Sequence, residues 1–178
     1  MGASLPSSSP LASQPEWRDL IRWLESEGQQ ARSFFGVRGP ILFWDEGSDS
    51  PNAKALSPDD PSGPAVLIGI RLTLRLRNYS VETQIPLQAI IGHEYGHQYQ
   101  YQRIEMLGER FVYRDELIAD YLAGAYLRST GASPKEASYA ARIVFGLGGT
   151  DFNNPQHHGT HAQRAGALRA GYESGRLP

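Results

Sequence analysis

The sequence predicts an α+β chain, with helices packed on one small antiparallel sheet. Three observations predict it. An amphipathic helical segment comes first, a long run of alternating apolar residues sits in the first half, and several helix-forming segments fill the second half. The order helix, strands, helices is that of an α+β architecture rather than of alternating strand and helix units.

Each element has a local reason. In "PEWRDLIRWLESEGQQARSFF" Pro15 suits a first helical position, and Trp17, Leu20, Ile21 and Leu24 form one apolar stripe. "GPILFWDEG" is a short apolar run between glycines and predicts a strand. Residues 46–64, crowded with Pro, Gly, Ser and Asp, read as a loop. In "VLIGIRLTLRLR" Val66, Ile68, Ile70, Leu72, Leu74 and Leu76 occupy alternate positions, which predicts one strand over 65–77. Its outer face would carry Arg71, Thr73, Arg75 and Arg77, and that charge suits an edge strand.

The second half reads as helices. One starts near Pro86, with Leu87, Ile90 and Ile91 facing inward, and a second spans roughly Asp115 to Ser129, closed by Gly131. A third opens at "SPKE", where Ser133 is the N-cap and Glu136 stands at the capping-box position. "FGLGGTDFNNPQHHGT" reads as a loop, and a last helix runs from about His161 to Glu173. Residues 1–14 read as a flexible Ser/Pro-rich lead without the features of a signal peptide, and 15–178 as one domain.

Composition narrows the partners. A charged share of 20% and a net charge of −2, with no basic block, speak against nucleic acid. No run of apolar residues is long enough to predict a transmembrane helix. Cysteine is absent, so a transition-metal site would have to use His, Asp or Glu.

The chemistry concentrates in "IIGHEYGHQYQYQR". His93 and His97 are four residues apart, one turn along the same helix face, and can aim two imidazoles at one point. Glu94 projects beside them, where it could deprotonate a water held by a metal ion. A catalytic zinc needs three protein ligands and an open position. "RDELIADYLAGAYL" offers Glu116 as the third ligand. Asp120, one turn on, can accept the far N–H of a ligating imidazole. His157, His158 and His161 are rival third ligands or the makings of a second site. The long signature with a third histidine is absent, because Gln100 and Arg103 stand at its glycine and histidine positions.

"HEYGH" followed by "ELIAD" resembles the gluzincin metallopeptidases. "PNAKAL", Pro51–Leu56, is similar to a stretch that precedes the active-site helix in prenyl-protease-like members. "HGTHAQRAGALRAGYESG", His158–Gly175, resembles the end of bacterial neutral zinc metallopeptidases. The resemblance implies a zincin-like fold and one catalytic Zn2+ held by His93, His97 and Glu116. It implies His158 as the group that meets developing oxygen charge, with His161 as the fallback, and Arg164 as the residue that holds the loop or the site carboxylates. The function expected is a zinc-dependent endopeptidase with Glu94 as general base, acting on a peptide or protein substrate paired by strand addition to residues 65–77. Two alternatives are a non-catalytic zinc-binding module and a metal-free structural domain in which these acids and histidines pair with one another.

Overall fold

The computed structural model describes residues 15–46, 52–77, 84–103, 112–146 and 158–178. The lead, the segment joining the two central helices, most of the predicted loop before His158, and His157 itself lie outside the described residues. Among the described residues the chain is α+β, with six helices and a three-stranded sheet. The order is α1 (Pro15–Phe35), β1 (Ile41–Trp44), β2 (Ala53–Leu56), β3 (Ala65–Gly69), α2 (Ile70–Arg77), α3 (Gln84–Arg103), α4 (Val112–Ser129), α5 (Pro134–Gly146) and α6 (His161–Ser174).

The sheet corrects three expectations. Its order is β1-β3-β2, so β3 is the central strand and not an edge. It is mixed: β1 runs parallel to β3, with Ile41 opposite Val66, and β2 antiparallel, with Ala55 opposite Val66. The segment 46–64 is not all loop, because β2 lies within it. Strand addition to residues 65–77 is therefore not available, since both edges of β3 are already paired.

The alternating run also breaks. It is strand only to Gly69, and from Ile70 it is helix. The physical cause is a carboxylate from far away in sequence. Glu46, 3% exposed, accepts the N–H of Arg71 at 2.9 Å and of Leu72 at 3.0 Å, satisfying first-turn donors that a helix leaves unpaired. Thr73, which strict alternation would expose, is fully buried and bonds to the Gly69 carbonyl at 2.9 Å. Leu72 and Leu76 face the core, while Arg71 and Arg75, also four apart, face out. An alternating pattern of apolar residues two and four apart also satisfies one helical face, which is why periodicity alone misreads it.

The helical predictions hold. Ser133 and Glu136 make the reciprocal capping box that starts α5, at 2.7 and 3.3 Å. The main core joins Leu24 and Phe35 of α1, Ile68 of β3, Leu72 and Leu76 of α2, and Leu87, Ile91 and Tyr95 of α3 to Leu122 and Tyr126 of α4. A second cluster packs α5 and α6 on Leu127 and Ala89.

Two pairs of glycines set the distances between helices. Gly92 and Gly96 lie one turn apart on α3, where α4 packs. A β-carbon at Gly92 would come within 2.9 Å of the Tyr126 ring, and one at Gly96 within 3.2 Å of the Ala119 carbonyl oxygen. Gly124 of α4 and Gly171 of α6 meet closer still. A β-carbon at either would collide with a backbone carbonyl oxygen, that of Leu168 or of Tyr121. Close glycine contacts on both faces of α4 bring the acids of α4 between α3 and α6. Among the described residues, no helix is long and apolar enough to cross a membrane.

Candidate metal centre

The side chains singled out in the sequence come together where α3, α4 and the start of α6 meet. His93 and His97 turn their Nε2 atoms toward each other, 3.1 Å apart. Glu116 closes the triangle, with Oε2 3.4 Å from His93 Nε2 and Oε1 3.5 Å from His97 Nε2. These three residues form the group of potential ligands whose atoms lie within 4.8 Å of one another.

The hydrogen-bond partners decide which nitrogens are free. His93 Nδ1 lies 2.8 Å from Asp120 Oδ1, and His97 Nδ1 lies 2.8 Å from Gln100 Oε1. Gln100 donates its NH2 to the Asp115 carbonyl at 2.9 Å, which fixes the orientation of its amide. Both Nδ1 atoms thus face acceptors and must carry hydrogen. In neutral imidazoles both Nε2 atoms are then bare lone pairs that point at one another and at a carboxylate. Such a set calls for a cation, either a proton or a metal ion.

The dimensions fit zinc. Ligands about 2.0–2.1 Å from a tetrahedral ion stand about 3.3–3.4 Å apart, against the 3.1, 3.4 and 3.5 Å found here. No fourth protein ligand joins the group among the described residues. His158 approaches through Nδ1, 3.0 Å from Glu116 Oε1, but stands outside the ligand triangle.

Electrostatics agree with this reading. Burial alone would lower the pKa of His93, but the Asp120 carboxylate, by charge and hydrogen bond, and Glu116 hold it up at about 10. Without a metal, a proton therefore sits in the same place between the ligands. Burial would raise Glu116, yet hydrogen bonds from His158, His93 and His97 hold it well below the usual carboxylate range. Glu94 goes the other way: burial pushes its carboxyl up, only partly opposed by His93 and His97.

Glu94 is also placed by the sheet. The Ala55 N–H donates to its carboxylate. Gly69 N–H bonds to the Asn52 carbonyl at 3.0 Å, so Asn52, Lys54 and Leu56 pair inward with β3. Ala53 and Ala55 turn their backbone groups to the outer edge of β2, as antiparallel alternation requires. Ala53–Leu56, read as loop, is thus a strand whose outer edge pairs with no other strand among the described residues and gives its Ala55 N–H to Glu94 of α3.

Arg164 of α6 binds Asp120 with two hydrogen bonds, 2.7 and 2.9 Å, and reaches Glu116 at 3.4 Å. The capping box of Thr160 and Gln163 starts α6 one turn before Arg164. His161, by contrast, is exposed at the first position of α6 and lines the groove between α5 and α6. Tyr95, the aromatic inside "HEYGH", is fully buried and donates to the Gly39 carbonyl at 3.1 Å, so it anchors α3 to the chain before β1.

Sequence reasoning missed Gln100 and Glu46. Gln100 stands three residues after His97, on the same helix face, and that spacing was the available signal. Glu46 had none, since the helix whose first turn it satisfies begins more than twenty residues on.

The chain matches no protein-family model, no curated protein and no solved structure.

Proposed function

We propose that this chain is a zinc-dependent endopeptidase of the gluzincin type, with a zincin-like arrangement of sheet edge and ligand-bearing helices. One observation carries the reading: three lone-pair-bearing atoms converge with the spacing of a tetrahedral face, and no fourth protein ligand joins them among the described residues. Three protein ligands with an open position are characteristic of catalytic rather than structural zinc.

His93, His97 and Glu116 would hold the ion. When bound, zinc supplies a polarised peptide carbonyl and a water of lowered pKa. Glu94 accepts the proton of that water as the water oxygen bonds to the carbonyl carbon. It then delivers the proton to the amine nitrogen as the C–N bond breaks. A carboxyl pushed up by burial suits both halves of that transfer. Asp120 keeps the Nδ1 proton on His93, and Arg164 holds Asp120 in place with two hydrogen bonds. His158 spends Nδ1 on Glu116, which leaves Nε2 as the nitrogen to meet oxygen charge on the substrate.

An extended peptide would pair with the outer edge of β2, at Ala53 and the Ala55 carbonyl, beside the Ala55 N–H that Glu94 holds, rather than with residues 65–77. This places main-chain recognition next to Glu94.

The test is cleavage of a mixed peptide library by zinc-loaded protein beside Glu94→Gln, with metal analysis of both. The reading requires one zinc per chain in each and cutting by the parent alone. Zinc without cutting in either would favour the non-catalytic binding module. Absence of zinc, with no gain in thermal stability on adding it, would favour the metal-free domain, in which the acids and histidines serve only one another.

A further inference from the structure

We infer that Gln100 is a positioning residue for the metal site, which orients His97 and ties it to the backbone of the third ligand. The inference rests on the proposed zinc site and extends it to a residue that touches neither metal nor substrate.

Gln100 is fully buried, and both ends of its amide are used. Its oxygen accepts from His97 Nδ1 at 2.8 Å, and its nitrogen donates to the Asp115 carbonyl at 2.9 Å. The two bonds enforce each other. Asp115 offers only an oxygen, so the NH2 must point there. The Gln100 oxygen must then face His97, so the His97 proton must sit on Nδ1. Nε2 is left bare and aimed at Glu116 and at His93. One side chain thereby selects the tautomer that can bind a metal.

The second bond reaches further. Asp115 immediately precedes Glu116, so Gln100 ties the second ligand to the peptide that carries the third, and α3 to the first turn of α4. His93 is served differently. Its Nδ1 meets a carboxylate, Asp120, whose charge is matched by Arg164. An amide at the equivalent place on His97 orients the ring without adding another negative charge beside Glu94 and Glu116.

The variants are Gln100→Met, which keeps length without polarity, and Gln100→Glu, which keeps the acceptor for His97 but places an oxygen against the Asp115 carbonyl. Zinc affinity is read by competition with a chelator, well below the thermal midpoint of each metal-free protein. The expected loss is about 10–100-fold for Gln100→Met, with Gln100→Glu weakened by less. A purely structural role would lower the thermal midpoints and leave zinc affinity unmoved. Zinc held by Gln100→Met within about twofold of the parent, well short of the loss that such partners usually cause, overturns the inference. Should Gln100→Met not fold, Gln100→Glu decides alone: weaker zinc binding supports the inference, and unchanged binding overturns it. Glu116→Ala and His97→Ala are run beside them. If these two also bind zinc like the parent, it is the zinc site that fails and not the role of Gln100 within it.

Discussion

His93, His97 and Glu116 each leave 12% of their side chain exposed, whereas His158 leaves 58%. The first three sit mid-helix on α3 and in the first turns of α4, pressed together by Gly92 and Gly96. Each has its orientation set by a second residue. His158 precedes α6 and is held to the site by one bond, to Glu116. One half of the site is built by helix packing. The other half is brought to it by the N-terminal end of a helix and secured there by Arg164. Groups that must hold a metal gain from rigidity. A group that meets a substrate has to remain accessible.

The comparison can be broken at several points. The largest effect is expected at Glu94. Glu94→Gln should lower peptide cleavage by about 10²–10⁴-fold, the usual worth of a positioned base, while zinc stoichiometry by metal analysis stays at one. Next comes the link between the halves. Arg164→Met takes the doubly bonded guanidinium from Asp120, 1% exposed, and leaves it His93 alone as a cationic partner. Breaking such a buried pair costs about 3–5 kcal/mol, to be read by denaturant unfolding of the metal-free protein. If Arg164→Met unfolds like the parent, α6 does not secure the site.

His158→Gln should separate the halves most cleanly. Cleavage is expected to fall by about 10²-fold, the lower end for loss of an oxyanion donor, with zinc affinity by chelator competition changed by less than about threefold, under 1 kcal/mol. A parallel loss of both would make His158 part of the ligand framework.

The broadest effect is with pH. His93 in the metal-free protein is raised above its unfolded value of 6.5 to about 10. Its contribution is therefore fully present below pH 6.5 and is lost as pH rises toward about 10. The thermal midpoint of the metal-free protein should carry this falling component across that window, and zinc should remove it by replacing the proton. Zinc affinity should correspondingly weaken as pH falls, with proton release on binding measurable by calorimetry in buffers of different ionisation enthalpy. Zinc binding without proton release would contradict the placement of the proton between the ligands.

Much of the site was legible because it is written in helical periodicity. The spacings of His93 to His97 and of Glu116 to Asp120 are each one turn, and a turn is a local property. Arg164, and the role of His158 opposite substrate oxygen, were reached only through the resemblance of the tail. The strand from 65 to 77 was misread because its apolar positions satisfy two periods at once. The choice between them was made by Glu46, which a local window does not contain. β2 was hidden for a related reason: four residues between turn-forming neighbours become a strand only when β3 offers a ladder.

The sequence by itself determined five of the six helices among the described residues, the charge balance, the lack of cysteine ligands and the types of residue that could hold a metal. These follow from spacing and side-chain chemistry. Only the tertiary structure decided that β3 is central, that β2 is an edge strand whose Ala55 meets Glu94, and that α4 lies close enough to α3 for Glu116 to face two histidines. It also decided that Gln100 points its oxygen at His97. Those outcomes depend on which groups meet across long stretches of chain, through packing at glycines and hydrogen bonds between elements, and no local pattern encodes them.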